Sequence, residues 1–126
     1  MLGKTDATAN LAVKDLERAR RFYEDVLGLE PQGGFDGELI SYRSGSTSLN
    51  VYRSDYAGTN KATAVTWEVD DVPAVATALK AKGVAFEHYD MPGMRREGDV
   101  HMPEDGSMRV AWFKDPDGNI LNLASR

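Results

Sequence analysis

The stretch LAVKDLERARRFYEDVLGLEP, residues 11–31, contains the pattern that decides the fold. A short apolar strand ends at Val13, and Asp15 is a suitable N-cap for the helix that follows it. Apolar side chains then recur at helical spacing, and Gly28 ends the helix. A strand that leads directly into an amphipathic helix predicts a mixed α+β architecture.

The same order of elements begins again in the second half of the chain. The apolar strand AVTWEV, residues 64–69, leads to a second N-cap at Asp71. The helix after it tolerates Pro73 in its first turn and ends at Gly83. Val69 aligns with Val13 at an offset of 56 residues, which indicates an internal repeat.

The repeat predicts two modules, each made of one strand, one helix and three further strands. Their expected limits are about residues 5–55 and 62–126 of a single domain, because neither copy alone buries both its helix and its sheet face. The link with Pro31, Gly33 and Gly34 is read as a connection. The other predicted strands are ELISYR, TSLNVY, VAFEHY, MRVAWFK and NILNLAS, the last two joined by a DPDG turn.

Composition restricts the class of protein. The chain has 126 residues, 41% of them hydrophobic, and no cysteine, so neither disulfides nor thiolate metal ligands are expected. No apolar run approaches the ~20 residues that span a bilayer, and no signal peptide is recognisable. A cytoplasmic protein without a membrane partner is therefore predicted.

Charge argues against a nucleic-acid partner. The net charge is −5, with both signs interspersed, whereas nucleic-acid binding usually requires a basic patch. The compact basic groups, Arg18 with Arg20 and Arg21 and the pair Arg95–Arg96, are read as a solvated helix face and a solvated loop. A small molecule is the expected partner.

Two stretches together resemble a known family. Residues 11–31 resemble the first-module signature of the glyoxalase / bleomycin-resistance / extradiol-dioxygenase superfamily, the vicinal oxygen chelate proteins. WFKDPDGNILNL, residues 112–123, is similar to its second-module ending. The resemblance implies that the paired modules form an incomplete eight-stranded barrel around a cleft, and that a protein of this size is a homodimer.

Strand alternation predicts which side chains face that cleft, because successive side chains point to opposite faces. Apolar residues such as Leu11, Val51 and Leu121 are expected on the helix side. The opposite face, together with the Met-rich segment 90–108 read as a flap, supplies the predicted ligand-binding residues: Thr8, Asn10, Asn50, Tyr52, Thr66, Glu68, Met108, Trp112 and Asn122.

Enzymes of this superfamily commonly hold a divalent metal with His and Glu side chains. By this resemblance, the four metal-ligand positions of the glyoxalase type correspond to Thr8, Asn50, Ala64 and Asn122. None of these is a competent ligand for a catalytic cation, since a neutral amide binds weakly without carboxylates nearby. Neither a metal nor another cofactor is therefore expected.

The amides at Asn50 and Asn122 leave two interpretations open. They donate and accept hydrogen bonds to a neutral ligand, or they bond to each other or to water in an empty cleft. Trp112 either stacks a planar ligand or fills the core.

His88 lies near a predicted strand end. His101, next to Glu104 and Asp105, is read as a surface histidine in a loop and not as part of a metal site, because no metal-ligand spacing accompanies it.

Three functions remain possible on this pattern. The first is a metal-independent binding protein of the bleomycin-resistance type that sequesters an aromatic natural product or antibiotic. The second is a lyase, isomerase or dioxygenase that uses a displaced metal, or Glu68 as a general base if that carboxylate is buried. The third is a dimeric interaction module with a closed cleft. Whether the chain is an enzyme stays open.

Overall fold

The structure is a computed structural model that describes residues 1–125. The chain divides into two compact units, the first spanning Met1–Gly58 and the second beginning at Thr59. Each unit contains one helical region and one β-sheet. The division falls between the two predicted modules, and their union in a single domain stays a prediction.

The first unit is a four-stranded sheet with one helical region. The strands lie in the order β1-β4-β3-β2, with β1 parallel to β4 and the other pairs antiparallel. A parallel pair needs a crossover, which the helix after β1 begins. The strands are β1 (Ala9–Val13), β2 (Glu30–Phe35), β3 (Leu39–Ser44) and β4 (Thr47–Arg53).

The helix predicted after Asp15 is confirmed, with a change of type along its length. It begins as α1 (Leu16–Arg20) and continues as a π-helical segment over Arg21–Val26. Asp15 Oδ1 accepts the backbone N–H groups of Glu17 and Arg18 at 2.9 and 3.2 Å, which satisfies two of the unpaired donors at the helix start. Gly28 follows the helix with φ 77°, as its predicted role requires.

The connection predicted around Pro31, Gly33 and Gly34 is wrong, because these residues belong to the edge strand β2. The pairing with β3 has an irregularity between Pro31 and Gly33. A Cβ atom on Gly34 would lie 2.1 Å from the carbonyl oxygen of Leu39. Glycine here permits a close approach of two strands, so composition typical of a loop occurs inside a strand.

The second unit repeats this plan with additions. Its six-stranded sheet has the order β5-β10-β9-β8-β7, and β6 also pairs with β9. Asp71 caps α2 through a bond from the Ala74 N–H to its Oδ1 at 3.0 Å. The elements are β5 (Thr63–Glu68), α2 (Val72–Ala81), β6 (Phe86–Glu87), β7 (Met94–Glu97), β8 (Val100–Pro103), β9 (Arg109–Lys114) and β10 (Ile120–Ser125).

The flap predicted over residues 90–108 contains a β-hairpin, β7 and β8, which joins the sheet. The predicted strand at 84–89 shortens to the two residues of β6. Both β6 and β8 pair with β9: Phe86 lies opposite Phe113, and His101 lies opposite Val110. The chain therefore leaves the edge of β9 after β6 and returns to it at β8.

The predicted DPDG turn between β9 and β10 is confirmed. Asp115 is 5% exposed, and its Oδ1 accepts the backbone N–H groups of Asp117 and Asn119 at 2.9 and 2.8 Å. Asn119 Nδ2 donates to the other carboxylate oxygen at 2.8 Å. Gly118 adopts φ 89°, which a glycine accepts without steric cost.

The architecture is a mixed α+β fold with two sheets and few helices, as predicted. The eight-strand count is not confirmed, since residues 1–125 form ten strands and neither sheet closes on itself. Leu11, Val13, Leu49, Val51 and Leu121 are all at most 4% exposed, as the alternation predicts for the helix side. Ala9, which the alternation places on the same side, is exposed, and Val65 and Trp67 are half-buried. In the described part of the chain, none of the helices is long and apolar enough to cross a membrane.

Candidate functional site

In the first unit, Asn10 and Asn50 lie side by side on the sheet face opposite the helix. They are direct neighbours in the parallel β1–β4 register. Asn50 Nδ2 donates a hydrogen bond to Asn10 Oδ1 at 3.2 Å. Asn10 is exposed and Asn50 is half-buried, so this amide pair is held by the protein and still reachable from solvent.

The amide pair continues as a polar row across the sheet. Ser41 of β3 lies opposite Asn50. Gln32 Nε2 donates to Ser41 Oγ at 3.1 Å and to Ser48 Oγ at 2.9 Å. The first unit therefore presents uncharged donors and acceptors at the centre of this face.

The other predicted residues of the first unit flank this row. Tyr52 is half-buried and lies between Ala12 and Leu39 in register. Thr8 is exposed and immediately precedes β1. Tyr52 therefore adds an aromatic surface beside the amides, whereas Thr8 lies at the margin of the face.

In the second unit, Asn122 occupies the position that the repeat makes equivalent to Asn50. Thr66 of β5 and Trp112 of β9 lie opposite it on either side. Asn122 is 9% exposed, and within residues 1–125 its buried Oδ1 accepts no hydrogen bond. Three predicted ligand-binding residues are thus neighbours in one row.

Trp112 has a fixed orientation in this row. Its Nε1–H donates to Thr63 Oγ1 at 3.1 Å. Its ring meets the rings of His101 and Tyr89 edge to face, with centroids 4.9 and 5.3 Å apart. The indole is only half-buried, which leaves part of its ring accessible for stacking.

The surface position predicted for His101 is wrong. This residue lies in β8 and is 1% exposed. Its Nε2 accepts the backbone N–H of Tyr89 at 3.0 Å, so it satisfies a donor where the chain leaves the sheet after β6. Burial lowers the pKa of His101, and a backbone interaction with Val110 opposes this shift. The ring is neutral at neutral pH.

His88 is half-exposed and takes part in a separate set of contacts around Asp99. Its Nε2 lies 2.8 Å from Asp99 Oδ1, and Lys80 of α2 donates to Asp99 Oδ2 at 2.9 Å. These two contacts hold the pKa of Asp99 below its usual value, the His88 hydrogen bond more than the Lys80 one. Asp99 follows β7, so the contacts tie the β7–β8 hairpin to α2 and to the end of β6.

Glu68 and Met108 border a separate open cavity of about 640 Å³ in the second unit. Asp70 and Ser125 also line it. Glu68 is exposed, so the burial that its proposed role as a general base requires is absent. The cavity nonetheless brings two carboxylates and a methionine together.

The residues at the family's metal-ligand positions do not fit a catalytic divalent cation. Thr8 and Ala64 supply no strong ligand, and the amides of Asn50 and Asn122 carry no charge. Across residues 1–125, no group of three or more His, Asp and Glu side chains is arranged to hold a metal ion. The donor set offers hydrogen bonds in place of metal coordination.

Each unit contains one parallel strand pair, β1 with β4 and β5 with β10, and a polar residue of each pair belongs to the rows described above. A family model described as the Glyoxalase/Bleomycin resistance protein/Dioxygenase superfamily matches residues 6–123. The chain belongs to this superfamily, and the resemblance read from the sequence is confirmed.

Individual relatives are similar over nearly the whole chain. A lactoylglutathione lyase of Haemophilus influenzae is 29% identical over 121 residues, covering 86% of this chain and 82% of that protein. The structure of a lactoylglutathione lyase from Agrobacterium tumefaciens has a TM-score of 0.73 at 20% identity, covering 97% of this chain and 93% of that one. A glyoxalase/bleomycin resistance protein from a Streptomyces species has a TM-score of 0.60 at 25% identity, covering 94% and 98% of the two chains.

Proposed function

We propose that this chain is a metal-independent small-molecule binding protein of the glyoxalase/bleomycin-resistance type. Its ligand is an aromatic natural product or antibiotic that the protein sequesters. The observation that carries the proposal is the replacement of metal ligands by the amides of Asn50 and Asn122. The Asn50 amide is organised by its hydrogen bond to Asn10, and the Asn122 amide lies beside Trp112.

The chemistry of the two sheet faces supports binding over catalysis. Superfamily enzymes that use a metal need anionic or imidazole ligands to hold the cation, and the cation stabilises the developing negative charge. An amide forms hydrogen bonds in a definite geometry but provides no comparable charge. Tyr52 and Trp112 add aromatic surface to the two faces, which suits a planar ligand.

Isothermal titration against a panel of aromatic antibiotics and flavins tests the proposal. We expect at least one member to bind with 1:1 stoichiometry per chain, and a Trp112→Ala variant to weaken that binding. Trp67→Ala is the matched control, because Trp67 stacks on Phe113 at 6.4 Å on the opposite face of the sheet. Absence of binding across the whole panel would contradict the proposal.

A second candidate function is a Glu68-based lyase or isomerase, in which a bound substrate would have to supply the burial that the exposed Glu68 lacks. The cavity that Glu68 shares with Asp70 and Met108 favours it, as does the 29% identity with a lactoylglutathione lyase. Turnover of a hemithioacetal substrate that Glu68→Gln abolishes and Asp70→Asn retains would support this function. The same result would displace sequestration as the main role.

Two further parts of the proposal concern the state of the protein in the cell. The protein is a homodimer located in the cytoplasm, with no nucleic-acid or membrane partner. Sedimentation equilibrium tests the dimer directly, since one chain has a mass of 13.8 kDa. A single species of monomer mass at micromolar concentration would contradict it.

A further inference from the structure

Strand β2 is an edge strand with one free side. It is last in the sheet order β1-β4-β3-β2, and within residues 1–125 its one strand partner is β3. All six of its residues are exposed. The backbone N–H and C=O groups on the free side of such a strand are in position to pair with another chain.

The two halves of β2 differ in how well this edge is protected. Proteins protect an exposed edge with charged side chains, proline or an irregular pairing. The first half has all three, namely Glu30, Pro31 and the irregularity before Gly33. The second half, residues 33–35, pairs regularly with β3. Gly33 and Gly34 carry no side chain there, which permits another backbone to approach closely.

An open cavity of about 890 Å³ adjoins the unprotected half of β2, and residues 33–35 all line it. Leu16 of α1 and Ile40 of β3 also line it, so the cavity lies on the helix side of the first sheet. Ile40 is 4% exposed, whereas Phe35 borders the cavity and is 74% exposed. Apolar side chains thus lie directly beside a free strand edge.

The charges around this cavity balance. Three basic and three acidic side chains line it: Lys14, Arg20, Arg53, Asp15, Glu17 and Asp36. Arg20 forms an ion pair with Glu24 at 3.2 Å. Arg53 forms one with Glu38 at 3.6 Å. The cavity therefore suits an uncharged apolar group better than an ion.

A second copy of this chain is a poor occupant of the free edge. Antiparallel pairing of two β2 strands about a two-fold axis at Gly33 would place Pro31 of each copy opposite Phe35 of the other. The protected half of each strand would then lie against the unprotected half of its partner, and the bond that proline cannot donate would be missing twice. A peptide without proline has no such defect. Asp36, next to β2, and the net charge of −5 favour a peptide with basic residues.

We infer that β2 and the adjoining cavity bind an extended, basic peptide segment of another protein by strand addition. The peptide backbone pairs with residues 33–35, one apolar side chain enters the cavity against Phe35 and Ile40, and a basic side chain lies near Asp36. This site uses the edge and the helix side of the first sheet. It is therefore separate from the face that carries Asn10 and Asn50 and goes beyond the proposed function.

The probe is the peptide acetyl-KTSLSTK-amide, which has one leucine and a lysine at each end. Binding is measured by titration into ¹⁵N-labelled protein, and the backbone amide signals of residues 33–35 are expected to shift. The acidic peptide acetyl-ETSLSTE-amide, with the same central residues, should bind more weakly because of its charge.

Two N-methylated forms of the basic peptide test the backbone pairing. One is methylated at the leucine nitrogen and the other at the nitrogen of the serine that follows it. Successive N–H groups of an extended strand point to opposite sides, so one methyl group replaces a pairing donor and the other faces solvent. We expect one form to bind at least about fivefold more weakly than the other.

The Phe35→Ala variant tests the cavity, and it should fold because this side chain is exposed. We expect it to weaken binding of the unmethylated basic peptide. Tyr56→Ala is the matched control, since Tyr56 is a 78% exposed aromatic residue of the same unit in the turn region after β4. It should leave the binding unchanged.

Four results would overturn the inference. They are failure of the basic peptide to bind, equal binding of the two methylated forms, equal binding of the basic and acidic peptides, and equal effects of Phe35→Ala and Tyr56→Ala. Shifts of residues 33–35 that appear on raising the protein concentration without peptide would also overturn it, because a second copy would then occupy the edge.

Discussion

Asn50 donates its side-chain amide to Asn10 across the parallel β1–β4 pair at 3.2 Å. The same position in the second unit is occupied by Asn122, whose oxygen is buried and unpaired in the described chain. The hydrogen bond of Asn50 uses its Nδ2, whereas the unpaired atom of Asn122 is its Oδ1. The two asparagines should therefore differ in their contribution to stability.

Replacing each of these asparagines by leucine measures that difference. Asn122→Leu removes a buried unpaired acceptor and should raise the free energy of unfolding by about 1–2 kcal/mol. Asn50→Leu removes a half-exposed hydrogen bond and should lower it by about 0.5–1 kcal/mol. Urea denaturation of both variants checks the prediction, and equal effects of the same sign would contradict it.

A substitution at Gly34 tests whether strand β2 needs a glycine where it approaches Leu39. Gly34→Ala places a Cβ 2.1 Å from the Leu39 carbonyl oxygen, so it should destabilise the protein by at least about 2 kcal/mol. Gly33→Ala is the control, since Gly33 has a similar φ of 152° and its added Cβ would meet no atom within 4 Å. Comparing the thermal unfolding of the two variants separates the steric clash with Leu39 from the cost of a positive φ at a non-glycine residue. Similar losses in both would show that crowding at Leu39 is unimportant.

The contacts of Asp99 should stabilise the folded protein at neutral pH, and this contribution should be lost at acid pH. Its pKa is lowered by the bonds from His88 and Lys80, so the folded state binds fewer protons than the unfolded state as the pH falls through the range of carboxylate titration. The contribution is present above the unfolded pKa, near 3.9, and is lost as the pH falls through the folded value. Asp99→Asn should therefore cost about 1 kcal/mol at pH 7 and nothing at the lowest pH that permits folding.

Hydrogen exchange in the β7–β8 hairpin gives a second test of the contacts that Asp99 makes. Loss of the ion pairs should accelerate amide hydrogen exchange in β7 and β8 more than in β9 or β10. Glu97→Gln is the control on the same hairpin, because Glu97 forms an ion pair with Arg95 of its own strand. Unchanged exchange of β7 and β8 in Asp99→Asn would show that the contact with α2 does not secure the hairpin.

His101 should also make the protein less stable as the pH falls, over a higher pH range than Asp99. Burial lowers its pKa in the folded protein, so the unfolded chain takes up a proton first as the pH falls below about 6.5. Stability should decline over that range by up to about 1.4 kcal/mol per pH unit. The difference between the original protein and His101→Gln isolates this part of the pH profile. Parallel profiles from pH 7 to pH 5 would contradict the buried neutral state.

Much of the fold was predictable because its signals are local. Asp15 and Asp71 cap the helices as their side chains allow. The repeat also holds in three dimensions: Asn10 pairs with Asn50 in one sheet, and Thr66 pairs with Asn122 in the other. Strand alternation and the repeat therefore predicted that Asn10 lies beside Asn50 and Thr66 beside Asn122, whereas Thr8 lies outside β1.

The features that were missed depend on contacts between distant residues. Strand β2 has loop-like composition because Gly34 must approach Leu39. The β7–β8 hairpin lies inside the predicted flap, and its charged residues and glycines hide the strand alternation. Burial of His101 follows from where β8 joins β9, and no short sequence pattern reports that pairing. The unpaired state of Asn122 required atomic contacts to detect.

The proposed recognition uses amides in the positions that the family resemblance assigns to metal ligands. Elemental analysis of the purified protein after exhaustive dialysis tests it most directly. We predict only substoichiometric transition metal, and ligand binding that is unchanged by a chelator. Stoichiometric nickel, zinc, iron or manganese that survives dialysis, and is lost on replacing Asn50 or Asn122, would contradict the claim.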